Sequence, residues 1–239
     1  METITQVGYS RNYDGTTANL YPSFKSFDGL IDLHHLRSLD SYLTQRIRQY
    51  ISENSGDYFV NQHTLETDAL YKPGVREVWL TRTAPGTPYR YLDIDKTELW
   101  HETPAAKDFT LLMNFIKTLP FKSTGRILLI YDDQGNSVPA HRDHESPGIC
   151  HDFIWFRTNL KKPFYLLDQQ TGERRYVEGY TAWFDTVNQY HGSDPAEGLT
   201  FSFRVDGHFT DEFKRQIPYD KITPAATPAI WAQRSGGRN

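Results

Sequence analysis

Three side chains that can bind a metal, and one cation, fall within a single stretch of the chain. His141 and Asp143 stand two positions apart, and His191 follows His141 by 50 residues. Two neutral imidazoles and one carboxylate can hold Fe(II) on one face while leaving coordination positions open. Arg204 comes 13 residues after His191, and a guanidinium suits bidentate binding of a carboxylate. The residue types and spacing therefore indicate a mononuclear iron site with an anchor for a carboxylate beside it.

Strands must position these residues. Side chains two positions apart on a strand point the same way, so His141 and Asp143 can reach one metal. We expect a neighbouring strand to supply His191, followed by a tight return hairpin that sets Arg204 beside it. The closing strand carries Thr200, Ser202, Arg204 and Asp206 on one face, and Leu199, Phe201, Phe203 and Val205 on the other. A buried arginine needs an anionic partner, and a dicarboxylate co-substrate would provide one.

The elements around this stretch are short strands with supporting helices. Regularly spaced strand patterns with turn signals begin at residue 126 and predict a sandwich or barrel. The expected strands are 126–131, 137–143, 153–160, 164–168, 174–177, 180–184 and 199–205. Helical periodicity predicts a helix over 40–54, another that begins at Thr103-Pro104 and ends before Pro120, and a short one over 209–217. Two strand-like runs, 76–82 and 88–94, predict a hairpin that contains Arg82 and Arg90, which either forms a wall for the substrate or points its charges into solvent.

Composition excludes several classes of protein. The chain has 239 residues, 14% of them aromatic, and a formal charge of −4, which disfavours a general nucleic-acid binder. A single cysteine, Cys150, excludes an intrachain disulfide and a multi-cysteine zinc site. We find no signal-peptide pattern and no apolar run long enough to span a bilayer, so we expect a cytoplasmic protein without a membrane segment.

The order His141-x-Asp143, His191, Arg204 resembles that of the Fe(II)/2-oxoglutarate-dependent dioxygenases. The neighbouring text is P-F-Y-L-L-D from Pro163 and G-E-R-R-Y-V-E-G-Y-T-A-W-F-D ending at Asp185. This text is similar to the aspartyl/asparaginyl β-hydroxylase-like and small amino-acid hydroxylase branch. The resemblance implies a mainly β fold, a double-stranded β-helix (jelly roll, cupin-like) with supporting α-helices.

The resemblance also implies a role for individual residues. His141, Asp143 and His191 match the iron ligands, and Arg204 matches the residue that binds the distal carboxylate of 2-oxoglutarate. Ser202 could assist Arg204, and Arg157 falls near a further co-substrate contact. Independently of the resemblance, the sequence pattern gives residues that could meet the substrate. They are Arg82 and Arg90 on the predicted hairpin, Trp155 and Asn159 on the face of Arg157, and His144.

The implied reaction consumes 2-oxoglutarate and O2, releases succinate and CO2, and hydroxylates an amino acid, an amino-acid derivative or a peptidyl side chain. The carboxylate of Asp143 favours hydroxylation over halogenation, because the related halogenases need a small residue at that position.

We expect one domain over residues 1–239. It would comprise an irregular arm (1–25), a helical and hairpin support (26–125), the jelly-roll core with the metal site (126–207), and a C-terminal helix and tail (208–239).

Two other functions remain open from the residues themselves. A cupin-type metalloenzyme that does not use 2-oxoglutarate would need the three ligands but not Arg204. A non-enzymatic β-barrel binding module would explain the aromatic content but not the polar inner face. His144 and His151 compete with the chosen ligands, and the sequence leaves the oligomeric state open.

Overall fold

The computed structural model describes residues 3–4, 8–9, 23–53, 75–85, 87, 94, 96–143, 152–167, 172–184, 186 and 189–215. Its helices are α1 (Leu33–Ser38), α2 (Asp40–Glu53), α3 (Pro104–Asp108), α4 (Thr110–Ile116) and α5 (Asp211–Lys214), with one 3-10 turn at Thr97–Leu99. None of these helices has the length and apolar character needed to cross a membrane.

Fourteen strands are present within the described ranges. The first six are β1 (Thr3–Ile4), β2 (Gly8–Tyr9), β3 (Ser23–Ser26), β4 (Val75–Trp79), β5 (Thr81–Thr83) and β6 (Trp100–Glu102). The remaining eight are β7 (Phe121–Asp132), β8 (Val138–His141), β9 (Asp152–Phe156), β10 (Phe164–Leu167), β11 (Arg174–Val177), β12 (Thr181–Phe184), β13 (His191–Ser193) and β14 (Thr200–Phe209).

Two sheets form the body of the molecule. One has the order β1-β11-β10-β13-β8, and the other has the order β2-β3-β12-β9-β14-β7-β4. The pairings among strands β7 to β14 are all antiparallel. Apart from the β10–β11 hairpin, each successive strand from β7 to β14 passes to the opposite sheet. This topology is the double-stranded β-helix, so the expected mainly β jelly roll with supporting helices is confirmed.

Helices cover the outer face of the seven-stranded sheet. The predicted stripe of α2 is buried at Leu43, Ile47 and Tyr50. On α4, the Phe115 ring lies 5.6 Å from that of Phe156, which stacks in turn on a ring of the closing strand. The outer face is therefore a hydrophobic core, and the inner face is left for the site.

The second predicted helix is interrupted in the structure. It begins where expected, with Thr103 as N-cap and Pro104 in its first turn. Phe109 then leaves helical geometry, with φ −115° and ψ 38°, and a second segment begins at Thr110. The Thr103 hydroxyl donates to the Trp79 carbonyl at 2.7 Å, which ties this corner to β4.

The predicted hairpin of 76–82 and 88–94 needs correction in its first half. The first run splits at Leu80, so that β4 extends the large sheet beside β7 while β5 pairs with β6. Arg82 is thus exposed opposite His101, and its partner strand is not the second run. Residues 88–93 of that second run, Arg90 among them, lie outside the described residues.

The N-terminal arm, expected to be irregular, contributes short edge strands. β1 adds to the small sheet beside β11, and β2 pairs with β3 at the end of the large sheet. Edge positions of this kind satisfy backbone groups that would otherwise face solvent. At the other end, Phe209 completes β14 and the predicted helix begins at Asp211, while residues 216–239 lie outside the described residues.

The expected hairpin between His191 and the closing strand is wrong. β13 pairs with β10 and β8, whereas β14 pairs with β7 and β9 in the other sheet. The connection over 194–199 crosses from one sheet to the other, with Gly198 at φ 72°. A tight connection fits a hairpin and a crossover equally well, so the sequence pattern alone did not distinguish them.

Candidate metal centre

Two histidines on neighbouring strands begin the site. His191 at the start of β13 stands directly opposite His141 at the end of β8, and their ring centroids are 4.4 Å apart. The chain leaves β8 after His141, and the backbone N–H of Asp143 donates to the Thr186 carbonyl at 2.8 Å. That hydrogen bond holds Asp143 beside the two rings. The strand expected over 137–143 ends at His141, so Asp143 joins the two histidines from beyond the strand and not from its pleat.

The three side chains converge on a common point. The Nε2 atom of His191 lies 3.2 Å from Asp143 Oδ1, and Nε2 of His141 lies 3.6 Å from the same oxygen. Ligands about 2.1 Å from one octahedral metal are about 3 Å apart when they are adjacent. Within the part of the chain that the structure describes, these residues are the group of three suited to a metal ion.

Hydrogen bonds fix which ring nitrogens face the centre. His141 Nδ1 lies 2.9 Å from the Pro139 carbonyl, and His191 Nδ1 lies 3.0 Å from the Gln189 carbonyl. A carbonyl can only accept, so each Nδ1 carries a proton and a neutral ring presents a lone pair at Nε2. Metal-binding histidines are held in the same way. Three acceptors that face one another are repulsive unless they share a cation, so this arrangement fits a bound metal.

The surroundings also set the charge of the ligands. Burial lowers the pKa of His191 below its usual 6.5, and the neighbouring His141 adds to this, while Asp143 opposes it. Burial raises the pKa of Asp143, but the adjacent His141 and His191 rings and the charge of Arg204 outweigh it and hold that pKa well below 3.8. The carboxylate is therefore ionised and the His191 ring is neutral near neutral pH, as ligands must be.

We predict that metal affinity falls as the pH is lowered into the acid range. Protons compete for His191 only once the pH drops below 6.5, because its pKa is lowered in the folded protein. The His191 ring takes up a proton more readily in the unfolded chain than in the folded protein. The free energy of unfolding therefore also decreases as the pH falls below 6.5. Anaerobic Co(II) titrations across this range test the prediction, and an affinity that rises on acidification would contradict it.

Arg204 lies beside the candidate ligands, but its charge is already compensated. Its Nη1 is 2.5 Å from Asp143 Oδ2, and its Nε is 2.9 Å from Asp206 Oδ1. The argument that a buried arginine requires an external dicarboxylate is therefore corrected, because the protein itself supplies two carboxylates. The guanidinium carbon lies 4.2 Å from the centroid of the Phe153 ring, which makes Arg204 part of the wall of the site.

Aromatic rings form the rest of that wall. The ring centroid of Phe184 lies 4.9 Å from that of His191. The centroid of Phe164, on the neighbouring strand β10, lies 6.2 Å from it. Trp155 stacks on Phe164 at 4.6 Å and is paired with Arg204 across the strands. The structure thus places Trp155 in the wall beside the centre, between Phe164 and Arg204. Its contact with a substrate stays a prediction.

The other sequence-predicted residues divide into those near Arg204 and those elsewhere. Ser202 is half-buried on β14, two positions before Arg204 and therefore on the same face. Asn159 lies outside the site, because its amide donates to Asp40 Oδ1 at 2.6 Å and links this loop to α2. That role replaces the expected substrate contact of Asn159. His144 and His151 lie outside the described residues.

Arg157 has a structural role in place of the expected co-substrate contact. Its Nε donates to the Gly179 carbonyl at 3.0 Å and its Nη1 to the Lys162 carbonyl at 2.7 Å, while Nη2 donates to Val177. Burial lowers the pKa of Arg157 to about 10, and the charge of Asp28 opposes that shift. The guanidinium thus ties the β9–β10 loop to the end of β11 and to the β11–β12 loop. Each of its three nitrogens donates to a backbone carbonyl.

We predict that Arg157→Met lowers the free energy of unfolding by about 3 kcal/mol, since it leaves two buried carbonyls and one half-buried carbonyl without their donors. Chemical denaturation measures this, and Arg48→Met on the exposed face of α2 should change the free energy by less than about 0.5 kcal/mol. A stable Arg157→Met protein that had lost only 2-oxoglutarate affinity would restore the original expectation.

One inward-facing cation was missed by the sequence reasoning. Arg175 on β11 is opposite Leu166, which is itself opposite His191 on β13. Residues opposite one another share a face, so Arg175 lies in the same inner row as the two histidines, two strands from His191. Its side chain is 7% exposed, with Glu173 at 3.1 Å. Alternation along R-R-Y-V was the available signal, because Val177 faces inward two positions later.

Comparisons with known proteins were made against families, sequences and structures. Neither the protein-family models nor the curated proteins contain a match. The chain is similar to a prolyl-4-hydroxylase of Pseudomonas putida, with 14% identity over 77% of this chain and 90% of that one, at a TM-score of 0.42.

Two further hydroxylases give comparable likenesses. A Trichoplax adhaerens prolyl hydroxylase, in complex with a hypoxia inducible factor fragment, shows 12% identity over 76% of this chain and 80% of that one, at a TM-score of 0.42. The viral collagen prolyl hydroxylase of Paramecium Bursaria Chlorella virus-1, in its 2OG complex, shows 11% identity over 82% of this chain and 97% of that one, at a TM-score of 0.34. At these identities and scores the likeness assigns no residue a role, and it does not extend to the β-hydroxylase branch.

Proposed function

We propose that this chain is an Fe(II)-dependent oxygenase that uses 2-oxoglutarate and O2 and hydroxylates an amino acid, an amino-acid derivative or a peptidyl side chain. The observation that carries the proposal is the convergence of His141 Nε2 and His191 Nε2 on Asp143 Oδ1, at 3.6 and 3.2 Å. Two imidazoles and one carboxylate on one face are the ligand set of iron oxygenases that keep positions open for substrate and O2.

Each ligand has a defined task. His141 and His191 present neutral Nε2 lone pairs because their Nδ1 protons are held by the carbonyls of Pro139 and Gln189. Asp143 offers Oδ1 while Arg204 holds its other oxygen, which favours binding of the metal through one oxygen. Bound iron would supply O2 activation and the oxidative decarboxylation of 2-oxoglutarate to succinate and CO2.

We propose Arg204 as the anchor for a carboxylate of 2-oxoglutarate, with Ser202 beside it. The support is its position on the inner face of β14, next to Asp143 and over Phe153. A guanidinium has five N–H donors, so contacts to two protein carboxylates still allow a third anion to approach it. Trp155, Phe164 and Phe184 would keep water from the reacting atoms.

A second candidate is a metalloenzyme of the cupin type that does not use 2-oxoglutarate. The observation that favours it is the pairing of Arg204 with Asp143 and Asp206, which leaves the guanidinium compensated without any co-substrate. In that case the three ligands keep their roles and Arg204 serves only to hold Asp143.

The two candidates are separated by succinate release. The purified chain is incubated with Fe(II), a reductant, O2 and 2-oxoglutarate, first alone and then with a panel of amino acids, peptides and small metabolites. We expect slow succinate formation without substrate and stimulation by an amino-acid-like compound, with a product heavier by one oxygen atom. Iron binding without succinate formation under any of these conditions would favour the second candidate.

The compounds that stimulate succinate release would also test the substrate contacts. Arg82, Arg90 and His144 remain predictions for residues that meet the substrate. Among the members of the set that the structure describes, Trp155 is the one that packs beside the candidate ligands, through Phe164 and Arg204. Alanine at Arg82 should raise the substrate KM if the exposed strand β5 contributes to binding, and an unchanged KM would remove Arg82 from the site.

A further inference from the structure

A network of four side chains of alternating charge runs from the candidate metal ligand into the interior of the barrel. Arg204 Nη1 is 2.5 Å from Asp143 Oδ2, and its Nε is 2.9 Å from Asp206 Oδ1. The second oxygen of Asp206 is 2.9 Å from Arg126 Nε. Asp206 has no exposed surface, and the two arginines are each 7% exposed. The proposed function assigns roles only to Asp143 and Arg204 of this network.

We propose that Asp206, held by Arg126, is a positioning residue for the metal centre, and this proposal rests on the proposed function above. Asp206 fixes the guanidinium of Arg204, and Arg204 in turn holds the outer oxygen of Asp143. The inner oxygen, Oδ1, is thereby directed at the two histidines.

The geometry of Arg204 supports this assignment. Its Nε and Nη1 atoms lie on different edges of the planar guanidinium, so the group bridges two carboxylates and its plane is fixed at both ends. The Phe153 ring, 4.2 Å from the guanidinium carbon, limits motion out of that plane. Phe153 is also the direct cross-strand neighbour of Asp206. A rotation of Asp206 would therefore turn Arg204 and move Asp143.

The backbone beside Asp206 is equally constrained. The register of β14 against β7 shifts between Val205 and Gly207, on either side of Asp206. A Cβ at Gly207 would lie 2.3 Å from the Ser123 carbonyl oxygen, so the close approach of the two strands requires glycine. This bulge accompanies the ion pair of Asp206 with Arg126, which is on the paired strand. Bulges commonly redirect a side chain next to a functional site.

The consequence is that Asp206 acts on metal binding without touching the metal. Partners that hydrogen-bond a metal ligand directly, as Arg204 does, typically change metal affinity by about 10–100-fold when they are removed, and Asp206 acts through that partner. Asp206→Asn keeps the shape of the side chain but replaces one acceptor oxygen by an NH2 group, which is a donor. The amide therefore cannot accept from Arg204 on one side and Arg126 on the other, as the carboxylate does. We therefore expect Arg204 to shift and Asp143 to lose its fixed orientation.

The experiment measures Co(II) binding to the full-length chain by anaerobic titration, together with the visible spectrum of the bound ion. Asp206→Asn should weaken Co(II) binding by at least about 10-fold and change the spectrum, because the spectrum reports ligand geometry. The control is Asp152→Asn, which removes a buried carboxylate on β9 that accepts from Phe209 N and Lys214. This control should keep the wild-type affinity and spectrum even if its thermal stability falls.

The outcomes separate this proposal from the proposed function. Failure of the wild type to bind Co(II) at one site per chain overturns both. Wild-type affinity and spectrum in a folded Asp206→Asn protein overturn the positioning role alone, as does an equal loss in Asp152→Asn. If Asp206→Asn does not fold, Arg126→Gln decides in its place, with weaker binding supporting the role and unchanged binding overturning it.

Discussion

Replacing His191 with alanine is expected to weaken Fe(II) binding by at least about 100-fold and to abolish iron-dependent succinate release. The ring supplies one of three donors, and loss of a partner outside the ligand set already costs about 10–100-fold. His191 is 6% exposed and lies against Phe184, so the variant also leaves a cavity beside the centre. Anaerobic titration of the purified variant with Fe(II) measures the effect.

The matched control for this variant is His208→Ala. His208 is a histidine of the closing strand that is exposed and paired with Ser123, far along β14 from Arg204. It should bind iron with the wild-type affinity. Retention of tight one-site binding in His191→Ala, or an equal loss in His208→Ala, would remove His191 from the ligand set.

Arg204→Lys is expected to raise the Kd for 2-oxoglutarate by about 10-fold or more. Lysine keeps the positive charge but loses the planar fork that binds carboxylates with two parallel hydrogen bonds. The variant also disturbs Asp143, so the affinity for Fe(II) must be measured separately from the affinity of the iron-loaded protein for 2-oxoglutarate. A fall in the iron affinity alone would mean that Arg204 only holds Asp143.

Arg175→Lys provides the comparison. Arg175 is the inward-facing cation on β11, in the same row as His191 and His141. If Arg204 is the anchor, Arg175→Lys should leave the Kd for 2-oxoglutarate within about 2-fold. A loss of affinity in Arg175→Lys with no loss in Arg204→Lys would place the anchor on β11, in the other sheet.

The sequence was most informative where local periodicity and burial agree. Strand β11 and the main helix α2 fall at the predicted positions, since alternation and the 3.6-residue period are local properties. The spacing of His141 and Asp143 placed both near His191, and the neighbouring strand did supply His191. His141 and His191 need only neighbouring strands to meet, whereas Asp143 lies beyond the end of β8 and is held by the Thr186 carbonyl, a contact that the spacing does not show.

Contacts between distant parts of the chain could not be predicted in the same way. The pairing of Arg126 with Asp206 spans 80 positions, and no periodic pattern marks it. The crossover between β13 and β14 was mistaken for a hairpin because both need only a short polar connection. Arg157 was misassigned because an inward arginine looks the same in sequence whether it meets a co-substrate or three backbone carbonyls.

The same distinction explains the reading of Arg204. Alternation correctly gave it the same face as Asp206, and a buried guanidinium does need an anion. The sequence could not show that Asp143 and Asp206 would lie within hydrogen-bonding distance of it. That finding turns Arg204 from a free anchor into the centre of a charge network, and it is the reason that iron and 2-oxoglutarate affinities must be measured apart.

One measurement tests the central claim most directly, which is that His141, Asp143 and His191 hold iron with positions open to 2-oxoglutarate. The Fe(II)-loaded protein is titrated with 2-oxoglutarate in the absence of O2, and the visible absorption is recorded. A 2-oxo acid that chelates Fe(II) gives a charge-transfer band, so we predict a band that saturates at one 2-oxoglutarate per chain and is absent from His191→Ala. Bound iron that gives no such band with saturating 2-oxoglutarate would contradict the account.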